Sequence, residues 1–535
     1  MSHSAGSAPV HAAASPWSPL GSPLFRALWI ATIVSNVGTW MQDVGAGWLM
    51  TSLSTSPSLV ALVEAADSLP VMLLALPAGA LADIIDRRRL LIAVQTYLML
   101  VAGALAALTI FELTTPWVLL GFVFALGVGA AIVSPAWAAI VPDLVPPDEL
   151  QSAVTLNGIA INVSRAIGPA IAGALVAAVG VWLVFVLNAL SYISIIAVLV
   201  SWRREHKKST LPAERFLSAI RVGMRFVTHT RALQIVLIRG VAFFVFASAT
   251  WSLFPLIVRR ELQRGPEVYG FLLTCIGIGA VGGAMVLPRL RARSSRDALV
   301  AGASALYAGA ALMLAHVHSV GLLAIAMLAT GVAWISILAA LQVSAQLTLP
   351  PWVRARGLAV FFVVFFGGMA LGSILWGQVA TITGIPVALT IAAAGMVVGI
   401  ALTWRFKLGD HNPLDFTPTG DMPLPVLAEM PEPDVPVLVT IRYRVRLDKR
   451  EEFVKAMQAV REMRRRNGAY YWQLVHDSED PTLFLECFMD ESWIEHLRQH
   501  ERMSVADRQW LNRAKAFLVM GTTTRSSHWL GDREQ

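Results

Sequence analysis

From about residue 25 to residue 405 the chain is a succession of long apolar runs broken by short polar ones. A transmembrane helix needs roughly 20 mostly apolar residues. Twelve segments meet that need, near 25–50, 58–82, 90–111, 116–141, 151–178, 181–202, 232–258, 267–288, 297–317, 320–346, 355–381 and 385–405. Six precede a polar stretch at 202–231 and six follow it, and the short connections predict antiparallel neighbours. In the polar stretch Phe216, Ile220, Met224 and Val227 share one face at helical spacing, with Arg221 and Arg225 off it. That spacing predicts an amphipathic helix lying either on anionic lipid or against the bundle.

Beyond Arg405 the pattern changes. Residues 406–436 are rich in proline and polar residues and read as a linker. Val437, Val439, Ile441, Tyr443 and Val445 then alternate with Thr440, Arg442, Arg444 and Arg446, the signature of a half-buried strand. Phe453, Met457, Val460 and Met463 mark one face of a helix over 449–466. Strands follow near 470–477 and 482–489, then helices from Ser492 to about Leu518 and a last strand near 523–530. The order β-α-β-β-α-β predicts a small ferredoxin-like α+β domain over 437–535. Tyr470, Trp472 and Phe484 are expected on its uncovered sheet face, so the domain is expected to dimerise.

The apolar region repeats itself. Pro146-Pro147 recurs as Pro350-Pro351, and the same shift of 204 residues carries Gly79, Gly127, Gly168, Gly173 and Gly180 onto Gly283, Gly331, Gly372, Gly377 and Gly384. Such a repeat implies two homologous membrane halves, 21–202 and 232–405, joined by a cytoplasmic linker at 203–231. Composition agrees: 56% of the 535 residues are hydrophobic and only 14% are charged, against about 25% in a soluble domain. Residues 1–20, rich in Ser, Ala and Pro, read as a disordered tail and not as a signal peptide. Cys275 and Cys487 stand far apart, without disulfide or metal spacing.

Charge sets orientation. One set of loops holds Arg87, Arg88 and Arg89, then Arg203, Arg204, Lys207 and Lys208, then Arg289, Arg291, Arg293 and Arg296, then Arg354 and Arg356. The opposite set holds little beyond Arg259, Arg260 and Arg264. The positive-inside rule places both termini in the cytoplasm of a multi-pass inner-membrane protein. This bias accounts for most of the net charge of +7, which therefore does not point to nucleic acid.

Charges within the spans are rare and costly. They are Asp43, Glu64, Asp67, Arg165 and Arg239. A carboxyl in low dielectric can cycle a proton, and an arginine there needs a partner. The cluster reads as a proton-coupling or substrate site, or else as an ion pair that sets helix packing. His316 and His318 read as an incidental pair at a loop. Phe361, Phe362, Phe365 and Phe366 are able to line an apolar cavity, though most of them read as lipid-facing.

Two motifs carry a resemblance. The first is Gly79-Ala-Leu-Ala-Asp83-Ile-Ile-Asp-Arg87-Arg88-Arg89, in which Gly79 permits close helix approach, Asp83 accepts from a helix N-terminus, and the arginines pair with acids or lipid phosphate. It resembles the signature loop of the major facilitator superfamily, departing at Ile84 and Asp86. The second, Ser164-Arg165-Ala-Ile-Gly168-Pro169-Ala-Ile-Ala172-Gly173, resembles the Gly-Pro motif in the fifth helix of drug/proton antiporters, with Ser164 and Ala172 in place of glycines. The tail domain resembles antibiotic-biosynthesis monooxygenase-type barrels, a fold that also serves non-enzymatic roles. Over most of 20–530 the chain is similar to the secretion-effector branch that includes enterobactin-exporter-like proteins.

The resemblance implies a twelve-helix bundle in two halves that exports a siderophore, drug or metabolite by proton antiport, and no enzyme. The alternatives are a proton-coupled importer or lipid transporter, and a membrane-anchored monooxygenase acting through the tail. His496 and His500, one turn apart, are able to hold haem or a metal. They read instead as a solvated helix face with Glu495, Arg498 and Glu501, so no cofactor or metal is assigned. Expected partners are the small-molecule cargo, protons and membrane lipid.

Overall fold

A computed structural model describes residues 17–146, 148–202, 224–350, 352–408, 415, 417 and 435–531, without the side chains of 80, 82–84, 139 and 501. They fall into two compact units. The described residues of Met1–Ala213, Arg239–Ala340 and Phe362–Arg405 form one, and those of Glu214–Ile238, Leu341–Phe361 and Phe406–Gln535 form the other.

The long helices are Pro23–Leu53 (α1), Pro57–Ile84 (α2), Arg87–Ile110 (α3), Pro116–Ile140 (α4), Leu150–Ala178 (α5), Val181–Ser201 (α6), Arg231–Leu256 (α7), Pro266–Arg293 (α8), Arg296–His316 (α9), Val320–Leu347 (α10), Arg354–Thr383 (α11) and Ile385–Thr403 (α12). Among the described residues eleven, all but α1, are long and apolar enough to cross a membrane. α1 is 31 residues long but carries Ser35, Asn36, Thr39, Gln42 and Asp43. Proline opens α1, α2, α4 and α8, where its missing N–H costs nothing and its fixed φ suits the first turn. Short connections make successive helices run in opposite directions. The face at which α1 begins is the near face, and the opposite one the far face.

The repeat has a structural ground. Gly180 and Gly384 cap the starts of α6 and α12 with φ of 118° and 90°, a region open to glycine and strained for other residues. Gly127 of α4 abuts α2, where a Cβ would meet the Asp67 carbonyl oxygen at 2.6 Å. Its counterpart Gly331 of α10 abuts α8, where a Cβ would meet the Ala280 nitrogen at 2.7 Å. Equivalent helices thus make equivalent contacts in the two halves. One apolar core joins them, with Met50, Val184 and Phe185 packed into the same cluster as Phe254, Leu272 and Leu389.

The second unit holds a four-stranded sheet of Val437–Arg444 (β1), Tyr471–His476 (β2), Leu483–Asp490 (β3) and Arg525–Leu530 (β4), in the order β2-β3-β1-β4 with every pair antiparallel. Its helices are Arg450–Asn467 (α13), Trp493–Glu501 (α14) and Val505–Lys515 (α15). Phe453, Met457, Val460 and Met463 of α13 are wholly buried.

The uncovered sheet face differs from expectation. Phe484 is buried and packs edge-on to Phe453, with ring centroids 5.2 Å apart, and half-buried Trp472 donates from Nε1 to Glu486 (3.0 Å). On β3 the covered set is Phe484, Glu486, Phe488 and Asp490. The two acids can point inward because both are bonded there. Glu486 accepts from Tyr443 (2.7 Å) and Arg464 (3.1 Å), and Asp490 from Gln499 (3.2 Å) while bonding His496 (2.8 Å). His496 is therefore buried, not part of a solvated face.

In the polar stretch Phe216, Ile220 and Arg221 lie outside the described residues. A helical turn at 224–229 buries Phe226 and Val227, while Arg225 pairs with Glu491 (2.5 Å) and donates to the Gly468 carbonyl (3.0 Å). From the linker, the carbonyls of Thr417 and Asp415 accept from the first amides of α15 (3.0 and 3.1 Å).

Candidate functional site

The in-span acids converge. α1 supplies Gln42 and Asp43, α2 supplies Glu64, Asp67 and Ser68, and α5 supplies Arg165 to the wall of a cavity of about 310 Å³. Glu64, Asp67 and Ser68 share one face of α2 because they stand three and four residues apart. Asp43 interacts electrostatically with both Asp67 and Glu64, so three carboxyls confront one another. Three like charges in a low-dielectric space are costly unless protons or a cationic guest offset them. The Arg165 guanidinium lies 5.4 Å from the Trp40 ring centroid. Among the described residues it makes no ion pair, and its buried Nε has no hydrogen-bond partner. Gln42 accepts from Asn188 (2.9 Å) and leaves its own buried Nε2 unpartnered.

Six aromatic residues join aliphatic ones in the rest of the wall: Trp40 from α1, Trp251 from α7, Tyr269 from α8, Trp334 from α10, and Phe365 and Phe366 from α11. Phe365 and Phe366 thus take the cavity-lining reading of the two, and Phe361 is wholly buried rather than lipid-facing. Nothing in the spacing of the tryptophans separates a cavity wall from a lipid face, so they were missed. Glu64 stands with the other two acids in the wall of the cavity. Arg239 does not join them; it pairs with Asp297 at the start of α9 (2.8 Å) and donates to the Thr403 carbonyl (3.3 Å).

The Gly-Pro motif faces two ways. A Cβ on Gly168 would meet Cβ of Trp40 on α1 at 2.6 Å, and one on Gly173 would meet the Pro266 carbonyl oxygen of α8 at 2.6 Å. Gly270 of α8 packs in turn on the Pro169 carbonyl and the Gly173 backbone. The symmetry-equivalent contact is Gly377 of α11 against Ala61 of α2. Ser58 of α2 also bonds Thr381 (2.7 Å) and the Gly377 carbonyl (3.2 Å), Arg259 donates to Thr51 (3.0 Å) and Ser52 (2.5 Å), and Arg260 donates to the Thr55 carbonyl. Among the described residues, these hydrogen bonds between the halves all gather at the far face.

At the near face Arg87 lies 3.7 Å from Asp143, and Arg88 donates to the Leu199 and Val200 carbonyls (2.7 and 2.8 Å) at the end of α6. That placement sets a cation against the negative end of a helix. Asp86, one of the two departures from the signature, caps α3 by accepting from the Arg89 amide (2.9 Å). The Asp83 side chain lies outside the described residues. Among those described, no atom comes within 4 Å of where Gly79 would carry a Cβ.

Sequence and structure comparisons bear on this arrangement. The family described as Transmembrane secretion effector matches residues 14–535. The chain is 28% identical over 257 residues to the staphyloferrin A transporter of Staphylococcus aureus, covering 48% of this chain and 64% of that one, somewhat under two-thirds of its length. It is 24% identical over 429 residues to the multidrug efflux pump Tap of Mycobacterium tuberculosis, covering 76% and 97%. Among solved structures, a bacterial homologue of the human lysosomal transporter Spinster, inward-facing and unoccupied, superposes with a TM-score of 0.58 at 16% identity, over 73% of this chain and 98% of that one. The helical region has the major facilitator fold.

Proposed function

The chain belongs to the transmembrane secretion effector family of major facilitator transporters, and on that premise we propose that it exports a small amphipathic organic molecule across the cytoplasmic membrane by proton antiport. A siderophore transporter and a multidrug efflux pump among its relatives support export. The observation that carries the reading is the cavity itself, in which three carboxyls and one guanidinium sit among six aromatic rings. Such a wall offers apolar area with a few polar anchors. Its aromatic faces and acids favour a neutral or cationic guest over a polyanion. Protons and guest compete for the same carboxyls, and that competition is the physical basis of antiport.

The far face is the periplasmic one in this reading, and both termini are cytoplasmic. The arginine-rich loops support that orientation. The hydrogen bonds that tie the halves together at the far face support an inward-facing conformation, ready to load cargo from the cytoplasm.

Everted membrane vesicles test the function. An inwardly acid gradient is expected to drive uptake of a fluorescent amphipathic cation. Asp43→Asn and Asp67→Asn are expected to abolish it with protein abundance retained, because an amide cannot cycle a proton. Gradient-driven uptake undiminished in both variants refutes the coupling role. Reporter fusions after Arg89, Arg293 and Trp529 are expected to report cytoplasm, and a periplasmic signal at any of them refutes the orientation.

A further inference from the structure

Three histidines meet in the tail domain at a place the transport cycle does not use. His496 and His500 stand one turn apart on α14, and His528 comes from the edge strand β4. One ring nitrogen of each lies within 4.8 Å of the others. The rings of His496 and His500 have centroids 4.7 Å apart, and those of His496 and His528 4.9 Å. We propose that His496, His500 and His528 form a three-imidazole site for a divalent transition ion of the Zn²⁺ class.

Ring geometry supports coordination. Nε2 of His500 lies 3.2 Å from Nε2 of His496. Two imidazoles on a tetrahedral ion, with metal–nitrogen bonds of about 2.0–2.1 Å, hold their nitrogens about 3.3 Å apart. A second shell is in place. The Asp490 carboxylate bonds Nδ1 of His496 at 2.8 Å, and Gln499 donates to its other oxygen at 3.2 Å. A carboxylate there keeps the proton on Nδ1 and leaves the Nε2 lone pair facing the other two histidines. This carboxylate–histidine arrangement fixes ring orientation and raises ligand basicity.

Nδ1 of His500 is buried without a hydrogen-bond partner, so Nε2, which faces Nε2 of His496, is the nitrogen this ring offers to an ion. The cation that acts on His500, Arg464, is held by Glu486 at 3.1 Å, so its charge is countered. Trp493 flanks both His496 and His528, with ring centroids at 5.4 and 6.3 Å, and gives the site an apolar wall. Imidazole ligands suit Zn²⁺, Cu²⁺, Ni²⁺ and Fe²⁺ rather than Mg²⁺ or Ca²⁺. Three protein ligands leave a fourth position for water or another small donor.

The test uses the full-length protein, purified in detergent without a histidine tag and stripped with a chelator. Titration with Co²⁺ is expected to give one ion per chain and the visible bands of a low-coordination site, with displacement by Zn²⁺. His528→Gln, on a half-buried edge strand where folding is least at risk, is expected to weaken binding at least tenfold. Asp490→Asn is expected to weaken it about 10–100-fold through the second shell. His316→Gln on α9 is expected to bind like wild type. Absence of stoichiometric binding overturns the proposal. So does unchanged binding when His496, His500 and His528 are all replaced by Gln, which would place the ion elsewhere.

Discussion

The guanidinium of Arg502, just past α14, lies 4.5 Å from the ring centroid of Trp352, which stands in the turn between α10 and α11. Glu495 holds Arg502 in place (3.1 Å), and Arg502 also donates to the Asn467 carbonyl (3.1 Å). Phe226 meets Trp352 edge-on at 5.8 Å. The tail domain is thus anchored to a turn within the repeated Pro350-Pro351 signature and to the end of the polar stretch between the halves.

Trp352→Ala is expected to loosen that anchorage. A partly desolvated cation–π pair contributes about 1–2 kcal/mol, and each kcal/mol moves the midpoint of a unit this size by about 2–4 °C. A melting curve of the full-length protein in detergent is expected to show the tail transition falling by several degrees. An unchanged transition would mean that the tail is tethered by its linker alone.

Gly173 is one of the close points at which the halves meet, where a Cβ would lie 2.6 Å from the Pro266 carbonyl oxygen. Gly173→Leu is expected to leave the protein inserted, because most of the apolar core lies elsewhere, but to prevent sealing of the far face. Cysteines at positions 58 and 381 should crosslink readily in the parent, where Ser58 and Thr381 are 2.7 Å apart, and poorly in the Leu variant. Equal crosslinking in both would show that the contact is not needed for closure.

Within the tail, Glu486 has no exposed surface and accepts from Tyr443, Arg464 and Trp472. Burial and then the Glu486 carboxylate hold the Tyr443 phenol well above its ordinary range, so it stays a donor. Glu486→Ala removes one partner of a buried ion pair, a change that costs about 3–5 kcal/mol. The tail of this variant is expected to be unfolded or protease-sensitive, whereas Leu485→Ala, on the other sheet face, is tolerated. Equal resistance of both variants to protease would contradict the network.

What the sequence made legible follows from periodicity and repetition. The long apolar runs became long helices, and the shift that relates Gly180 to Gly384 proved to mark two positive-φ caps. Asp43, Glu64 and Asp67 were findable because a carboxyl in an apolar run is expensive and therefore conspicuous. Their aromatic neighbours were not: Trp251 and Trp334 look the same in a sequence whether they face lipid, core or cavity. In the tail, Arg464 and Arg466 sit in a basic run that reads as a solvated helix end, yet both are buried against acids. The Arg464 pairing holds Glu486 inward, as His496 and Gln499 hold Asp490, and Trp472 and Phe484 lie on that same covered face. His528 lies 28 residues from His500 on another element, so only the fold could bring the third imidazole to the pair.

The reversed face still predicts a dimer, through different residues. Leu485, Cys487 and Met489 of β3 share the uncovered side of the sheet with Leu438, Thr440 and Arg442 of β1, Tyr471, Gln473 and Val475 of β2 and Arg525, Ser527 and Trp529 of β4. Its apolar part is the row Tyr471, Met489, Leu438 and Trp529, and Trp529 is 59% exposed. An apolar strip in a water-facing domain usually finds a partner, and a second copy offers the same surface by two-fold symmetry. Cys487 lies near the middle of that side, on a central strand, so two copies packed face to face bring two thiols together. Burial, and then the Glu486 carboxylate, hold this thiol above its usual range, so reaction needs mildly alkaline buffer. A short bis-maleimide is expected to trap a dimer of the full-length protein in native membranes. Cys487→Ser should abolish the dimer band, Cys275→Ser should keep it, and Trp529→Asp should reduce it severalfold. A band that survives Cys487→Ser, or none in the parent, removes the sheet-to-sheet dimer.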